Sequence, residues 1–186
     1  MLELLINLNQ VTPDAFYPTV FDIPFETLKT KGIKTIFIDL DNTLISYQET
    51  NPTTEIVRLF QTIEQLGFQL IIVSNNRGSR VGFFSKQVGL DSIANAKKPT
   101  QIGFRKAEKR LGIHHPNEVC LIGDQVMTDV LGGKRRGYWV ILVNPIDRLT
   151  EKWFTKMNRI WEKRVLNRLK RVKPNTYEAL QLHEKR

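Results

Sequence analysis

The segment Asp39-Leu40-Asp41-Asn42-Thr43 sets two carboxylates and a hydroxyl within five residues. Further polar clusters follow at Ser74-Asn75-Asn76, at Lys97-Lys98-Pro99, and at Gly123-Asp124 with Asp129 five residues on. Brought to one place, such acids would repel one another and raise each other's pKa values. A divalent cation relieves that repulsion, and an all-oxygen donor set is the kind Mg²⁺ prefers. A lysine beside it serves as a point charge for a phosphoryl group. Taken alone, Asp-x-Asp-x-Thr is a weak signal, since a solvated turn accounts for any single cluster. Competing motifs fail on their spacing. A calcium loop starting at Asp39 needs Gly and Glu where the chain has Leu44 and Thr50. Gly132-Gly133-Lys134 lacks the spacing and hydroxyl of a phosphate-binding loop, and no glycine-rich dinucleotide fingerprint follows Asp39.

The elements between these clusters explain how they could meet. Lys34–Asp39 is a short β-branched apolar run, the pattern of a buried parallel strand. Phe68–Val73, Glu118–Ile122 and Tyr138–Val143 read as further strands. Helical spacing predicts helices over Thr53–Leu66, Ser79–Val88, Thr100–Leu111 and Val126–Arg136, the first three each closed by a glycine. In Thr100–Leu111 the inward residues are expected to be Ile102, Phe104, Ala107 and Leu111. Alternating strands and helices of these lengths imply an α/β fold with a parallel sheet covered on both faces. Ligands of such sheets bind beyond the carboxyl ends of the strands, where Asp39, Ser74 and Asp124 fall.

The series Asp39-x-Asp41-x-Thr43, Ser74, Lys98-Pro99 and Gly123-Asp124 with Asp129 resembles the four motifs of the haloacid dehalogenase (HAD) phosphatase superfamily, over about residues 34 to 143. Asp-Leu-Asp-Asn-Thr-Leu, Ser-Asn-Asn and Gly-Asp-Gln-x-x-Thr-Asp are similar to the YqeG family of subclass HAD-IIIA. That family is related to the mitochondrial phosphatidylglycerophosphate phosphatases, and Pro13–Gly32 loosely resembles their leader. The resemblance implies a HAD-like sheet sandwiched by helices, with Asp39 as nucleophile through an aspartyl-phosphate and Asp41 as general acid and base. It implies Mg²⁺ held by the Asp39 carboxylate, the Asp41 carbonyl and Asp124, with Asp129 either a ligand or an orienter of Asp124. Ser74 and Lys98 would bind the phosphoryl oxygens, with Thr43 and Asn75 in support. Lys97 stays an alternative to Lys98, although Pro99 biases Lys98 toward an extended backbone. Ion pumps of the superfamily have Thr where this chain has Asp41, so turnover of the intermediate is expected. Only 32 residues separate Asp41 from Ser74 and 23 separate Ser74 from Lys98, too few for a large cap domain. The zinc loop of some HAD-IIIA enzymes is excluded by the single Cys120, which reads as a core thiol.

The chain of 186 residues carries a formal charge of +9, of which +7 lies between Asp147 and Lys173. There Leu149, Trp153, Met157, Ile160/Trp161, Val165, Leu169 and Val172 form an apolar stripe at helical spacing. The opposite face is expected to carry Lys152, Lys156, Arg159, Lys163, Arg164, Arg168, Lys170 and Arg171. Such a helix either packs its stripe on the core or lies in an anionic membrane interface; contact with nucleic acid or ribosomes is a third reading. The tail from Pro174 reads as polar and frayed, and His114-His115 as surface. The expected division is a leader over 1–33 that packs on the core, a catalytic domain over 34–147 and a basic amphipathic helix and tail over 148–186. Met1–Leu8 has no basic region or cleavage site typical of a secretory signal, and no run is long enough to span a bilayer, so a cytoplasmic setting, peripheral on the inner face of the membrane, is expected. With the resemblance, the substrate expected is a lipid head group, phosphatidylglycerophosphate. The alternatives are nucleic-acid ends, a soluble metabolite, or a non-enzymatic RNA- or ribosome-binding module, against which the intact pair Asp39 and Asp41 argues.

Overall fold

The computed structural model describes residues 7–185; Met1–Ile6, part of the segment read for a signal, lies outside them. Six parallel strands form one sheet in the order β1-β6-β5-β2-β3-β4. They are β1 (Ala15–Tyr17), β2 (Thr35–Ile38), β3 (Gln69–Val73), β4 (Asp91–Ile93), β5 (Val119–Gly123) and β6 (Trp139–Val143). Every residue of β2 and β5 is buried, as expected for central strands covered on both faces. Pairing of Ile38 with both Ile72 and Ile122 aligns the ends of β2, β3 and β5. Alternation along β2 then divides the core. Ile36 and Ile38 pack with α2 (Thr54–Gln65) and α3 (Gly78–Val88) through Ile56, Phe60 and Phe84. Phe37 points to the other layer, with Phe104 of α4 (Ile102–Leu111) and Leu131 of α5 (Leu131–Arg136). Each such side chain contributes about 1.5–3 kcal/mol by leaving water.

The fold is the expected α/β sheet, with no large cap domain among the described residues, and with several corrections. Beyond packing on the core, the leader adds an edge strand to the sheet: β1 pairs with β6, and α1 (Phe25–Thr30) buries Phe25 and Leu28. Asp14 fastens it, accepting from Lys134 Nζ at 2.8 and 2.9 Å and from the Val140 amide at 2.8 Å. β1 and β4 have three residues each, too few to show a strand's period in sequence. Ile102, expected inward, is 49% exposed, because it lies roughly 200° around the helix from Phe104. Val126–Arg136 is not one α-helix. It opens with a π-helical turn, Val126–Val130, before α5.

The C-terminal segment departs furthest from expectation. Helix α6 (Trp153–Val172) buries Thr155, Arg159, Glu162, Val165, Leu166 and Leu169, so the inward face is rotated from the predicted stripe. Val165 and Leu169 reach the core, whereas Trp153 is 73% exposed and Leu149, Met157, Ile160 and Val172 are exposed as well. Arg159, expected among the outward cations, is buried. Nor is the tail frayed over its described residues. α7 (Pro174–Ala179) follows, Tyr177 and Leu182 join the core, and the Lys185 side chain is buried. Among the described residues, no helix is long and apolar enough to cross a membrane.

Candidate active site

Asp39 follows β2, Ser74 follows β3 and Asp124 follows β5, so three aligned strand ends deliver three polar side chains to one edge. The loop before α4 adds Lys98. Its Nζ lies 2.8 Å from Asp39 Oδ1 and 2.7 Å from Asp129 Oδ1. Asn75 grips the Lys98 backbone from both sides: Oδ1 accepts from its amide at 2.7 Å, and Nδ2 donates to its carbonyl at 3.0 Å. Lys97 is exposed with φ 57°, so of the two lysines only Lys98 joins the cluster. Asp129 approaches because residue 123 is glycine; a Cβ there would lie 2.3 Å from Asp129 Cγ. The π-helical turn brings Asp129 Oδ2 back to accept from the Gln125 amide at 3.1 Å and from Thr128 Oγ1 at 3.2 Å. Thr43 Oγ1 donates to Asp124 Oδ1 at 3.3 Å.

Asp41 has partners of its own. Arg80 Nε donates to its Oδ1 at 2.7 Å, while Ser74 Oγ and Asn76 Nδ2 donate to Oδ2 at 3.2 and 3.1 Å. Arg80 also donates to the Ser46 carbonyl at 2.8 Å. Sequence reasoning missed Arg80, because nothing in α3 marks one of its residues as facing a carboxylate 39 positions earlier.

Electrostatics favour a cation here. Burial raises the Asp39 pKa well above the usual carboxylate range, with Lys98 opposing and Asp129 and Asp124 adding to the rise. Asp129 is raised for the same leading reason. For Lys98, burial opposes the charged form, but Asp129 and Asp39 outweigh it and raise the pKa. Oxygens of Asp39, Asp124 and Asp129 lie within 4.8 Å of one another, all buried. Ion pairs fall into three groups: Arg80 with Asp41, Lys98 with Asp39 and Asp129, and Arg159 with Asp124, Glu151 and Glu162, the last also 3.7 Å from Lys185. A divalent cation among the three close carboxylates Asp39, Asp124 and Asp129 fits them in charge and in donor type.

The sequence model of the mitochondrial PGP phosphatase family, PGP being phosphatidylglycerophosphate, matches residues 1–147. The chain belongs to that family. It is a phosphatase related to the PGP phosphatases. It is 40% identical over 159 residues to the "probable phosphatase YqeG" of Bacillus subtilis, covering 86% of this chain and 91% of that protein. It is 25% identical to phosphatidylglycerophosphate phosphatase 1, chloroplastic/mitochondrial, of Arabidopsis thaliana, covering 78% of this chain but only 44% of that longer protein. A crystal structure of an uncharacterized protein from Listeria monocytogenes serotype 4b shares the fold, with a TM-score of 0.52 at 18% identity over 65% of this chain and 87% of that one.

Part of this phosphatase's cleft comes from beyond the matched residues. A cleft of about 980 Å³ is lined by Asp39, Asp41 and Lys98, and α6 supplies Phe154, Asn158 and Trp161 to the same lining. From the same helix Arg159 donates from Nη1 to the Asp124 carbonyl at 2.8 Å and from Nη2 to Asp124 Oδ2. It also meets Glu151 through Nε at 3.0 Å and Glu162 through Nη1 at 3.2 Å. Burial opposes the charge on Arg159, but Asp124, Glu162 and Glu151 more than offset it and raise the pKa. Lys185 Nζ donates to the Asp124 and Val143 carbonyls, both at 2.8 Å, and burial lowers its pKa to about 8 against the pull of Glu162. No signal in the sequence separates Arg159 from the nine other cations around it.

Proposed function

We propose that this phosphatase hydrolyses the phosphomonoester of phosphatidylglycerophosphate with Mg²⁺, through an aspartyl-phosphate on Asp39, at an anionic membrane surface. The observation that carries the reading is a cleft whose lining joins Asp39, Asp41 and Lys98 to the apolar side chains Phe154, Trp161, Met127 and Leu131, with the cations Arg77 and Lys152 on the same lining. A phosphate group attached to an apolar body suits that mixed lining. The names of the related proteins point the same way.

Asp39 attacks phosphorus and displaces the glycerol oxygen, splitting one difficult displacement into two. Asp41 gives that oxygen its proton and later takes one from the attacking water. Arg80, Ser74 and Asn76 fix the Asp41 carboxyl in one orientation for both transfers. Lys98 offsets charge on the transferring group, and Ser74 supplies a hydroxyl to its oxygens. Asn75 supports Lys98 through its backbone, and Thr43 supports Asp124. Asp39, the Asp41 carbonyl and Asp124, with Asp129 alongside, would hold Mg²⁺, which would supply the charge neutralisation that Lys98 alone leaves incomplete.

The membrane part of the reading rests on the outer half of α6. Leu149, Trp153, Phe154, Met157 and Ile160 are exposed, with Lys152, Lys156 and Lys163 exposed among them. Phosphate release from phosphatidylglycerophosphate in mixed micelles, beside a small chromogenic ester and a 3′-phosphorylated oligonucleotide, tests the substrate. The lipid should have the highest kcat/KM. A preference for the oligonucleotide or the small ester would overturn the lipid reading while leaving the hydrolase in place.

A further inference from the structure

We propose that Arg159 is the positioning residue for Asp124, so that the segment after residue 147 completes the active site; this rests on the reading of Asp124 as a metal ligand. Arg159 reaches the same residue twice, holding the Asp124 carbonyl with Nη1 and its Oδ2 with Nη2. Backbone and carboxylate are thereby fixed together, and Oδ1 is left to the longer contact from Thr43 at 3.3 Å. The guanidinium is itself aimed from behind. Glu151 accepts from Nε and Nη2 at 3.0 and 2.8 Å and Glu162 from Nη1 at 3.2 Å. Those two glutamates are tied to the loops after β2 and β5: Asn42 Nδ2 donates to Glu151 at 3.1 Å, and the Val126 amide donates to Glu162 at 2.9 Å. Helix α6 is thus stitched to the two loops that carry Asp41 and Asp124.

Stability alone does not account for this arrangement. Val165, Leu166 and Leu169 already seat α6 on the core. Replacing a buried ion network with apolar residues is often neutral or stabilising, so a charged cluster here has weak standing as glue. A carboxylate that binds metal, by contrast, needs its second oxygen held, and losing such a partner lowers metal affinity roughly 10–100-fold.

The test uses the full-length protein and Mn²⁺ as probe, with binding measured by calorimetry and by electron paramagnetic resonance in the absence of substrate. Arg159→Gln should weaken Mn²⁺ binding roughly 10–100-fold, and Arg159→Lys should weaken it less. For a small chromogenic ester, kcat at fixed Mn²⁺ should fall, recover in part with added metal, and leave KM unchanged. Glu151→Gln keeps the guanidinium but loosens its aim, and should weaken binding a few-fold, so the proposal stays testable if Arg159→Gln fails to fold. Unchanged Mn²⁺ affinity with a lowered melting temperature would make Arg159 a structural brace and overturn the proposal. Tighter Mn²⁺ binding would overturn it too, making Arg159 a competitor of the metal. Absence of Mn²⁺ binding by the wild type would instead remove the metal reading itself, and the proposal with it.

Discussion

Two carboxylate–cation assemblies stand side by side at the sheet edge, and they were built from different material. In the first, Lys98 lies between Asp39 and Asp129, and all three residues come from short motifs at the ends of elements. In the second, Arg159 lies among Asp124, Glu151 and Glu162, and of these four residues all but Asp124 come from a strongly basic stretch after residue 147. Both bury charge and both lean on strand-end acids. The first leaves its acids with raised pKa values, because burial exceeds what one lysine offsets. The second surrounds its cation with carboxylates, and the cation's own pKa rises. On the proposed reading, one assembly reacts and takes up a metal, and the other holds it in place.

Asp39→Asn gives the largest separation between them. Hydrolysis should fall by ~10⁴ or more, the scale of nucleophile knockouts, because the amide cannot form the covalent intermediate. The melting temperature should hold or rise, since the change removes a buried charge that its surroundings disfavour. Retained turnover above about a hundredth of wild type, measured by phosphate release at saturating metal, would take the nucleophile's role away from Asp39.

Metal and pH sharpen the same contrast on a smaller scale. Asp39 and Asp129 have raised pKa values in the folded, metal-free protein, against an ordinary value of 3.8. As pH rises past the ordinary value, the unfolded chain releases protons that the folded protein still holds, so their ionisation opposes folding. A cation that binds the ionised carboxylates competes with those protons. Mg²⁺ should therefore raise the melting temperature more at pH 8 than at pH 5, and a chelator should abolish both this gain and activity. Equal shifts at the two pH values in thermal melts would show that the metal does not meet these carboxylates.

The legible parts of the molecule were those whose chemistry sits next to its own structural signal. Strands β2, β3 and β5 are apolar runs that end at Asp39, Ser74 and Asp124, so period and function coincide within a few residues. Gly123 is written beside Asp124 because Asp129 needs the space. Illegible were partners chosen by tertiary approach. Arg80 finds Asp41 across 39 positions and Arg159 finds Asp124 across 35, each looking like an ordinary surface cation in its own helix. The stripe on α6 misled for a related reason. Apolar spacing identified the helix, but its inward face was set by buried ion pairs at Arg159 and Glu162 as well as by Val165 and Leu169. Short β1 and β4 gain their strand character from the neighbours they pair with, which a local window does not contain.

The smallest expected effect on catalysis separates the outer half of α6 from the inner half. Arg159 on the inner half is tied to Asp124, so reversing it tests the site rather than the surface. Lys156, Lys163 and Trp153 are exposed, lie outside the cleft lining, and touch none of the catalytic carboxylates. Each lysine near an anionic surface adds up to ~1 kcal/mol, screened by salt. Lys156→Glu with Lys163→Glu should therefore reduce binding to anionic vesicles roughly ten- to a hundredfold at low salt, and the difference should shrink as salt is added. Trp153→Ala should also weaken vesicle binding, but with little salt dependence, because the loss is apolar burial. With Trp153 73% exposed and its ring against Phe154, the melting temperature should stay nearly unchanged. Hydrolysis of a soluble ester should stay within a few-fold of wild type in all these variants. Vesicle co-sedimentation beside thermal melts decides the matter: a wild type that ignores anionic vesicles at low salt would end the membrane reading, and the exposed ridge would then be a surface without a lipid partner.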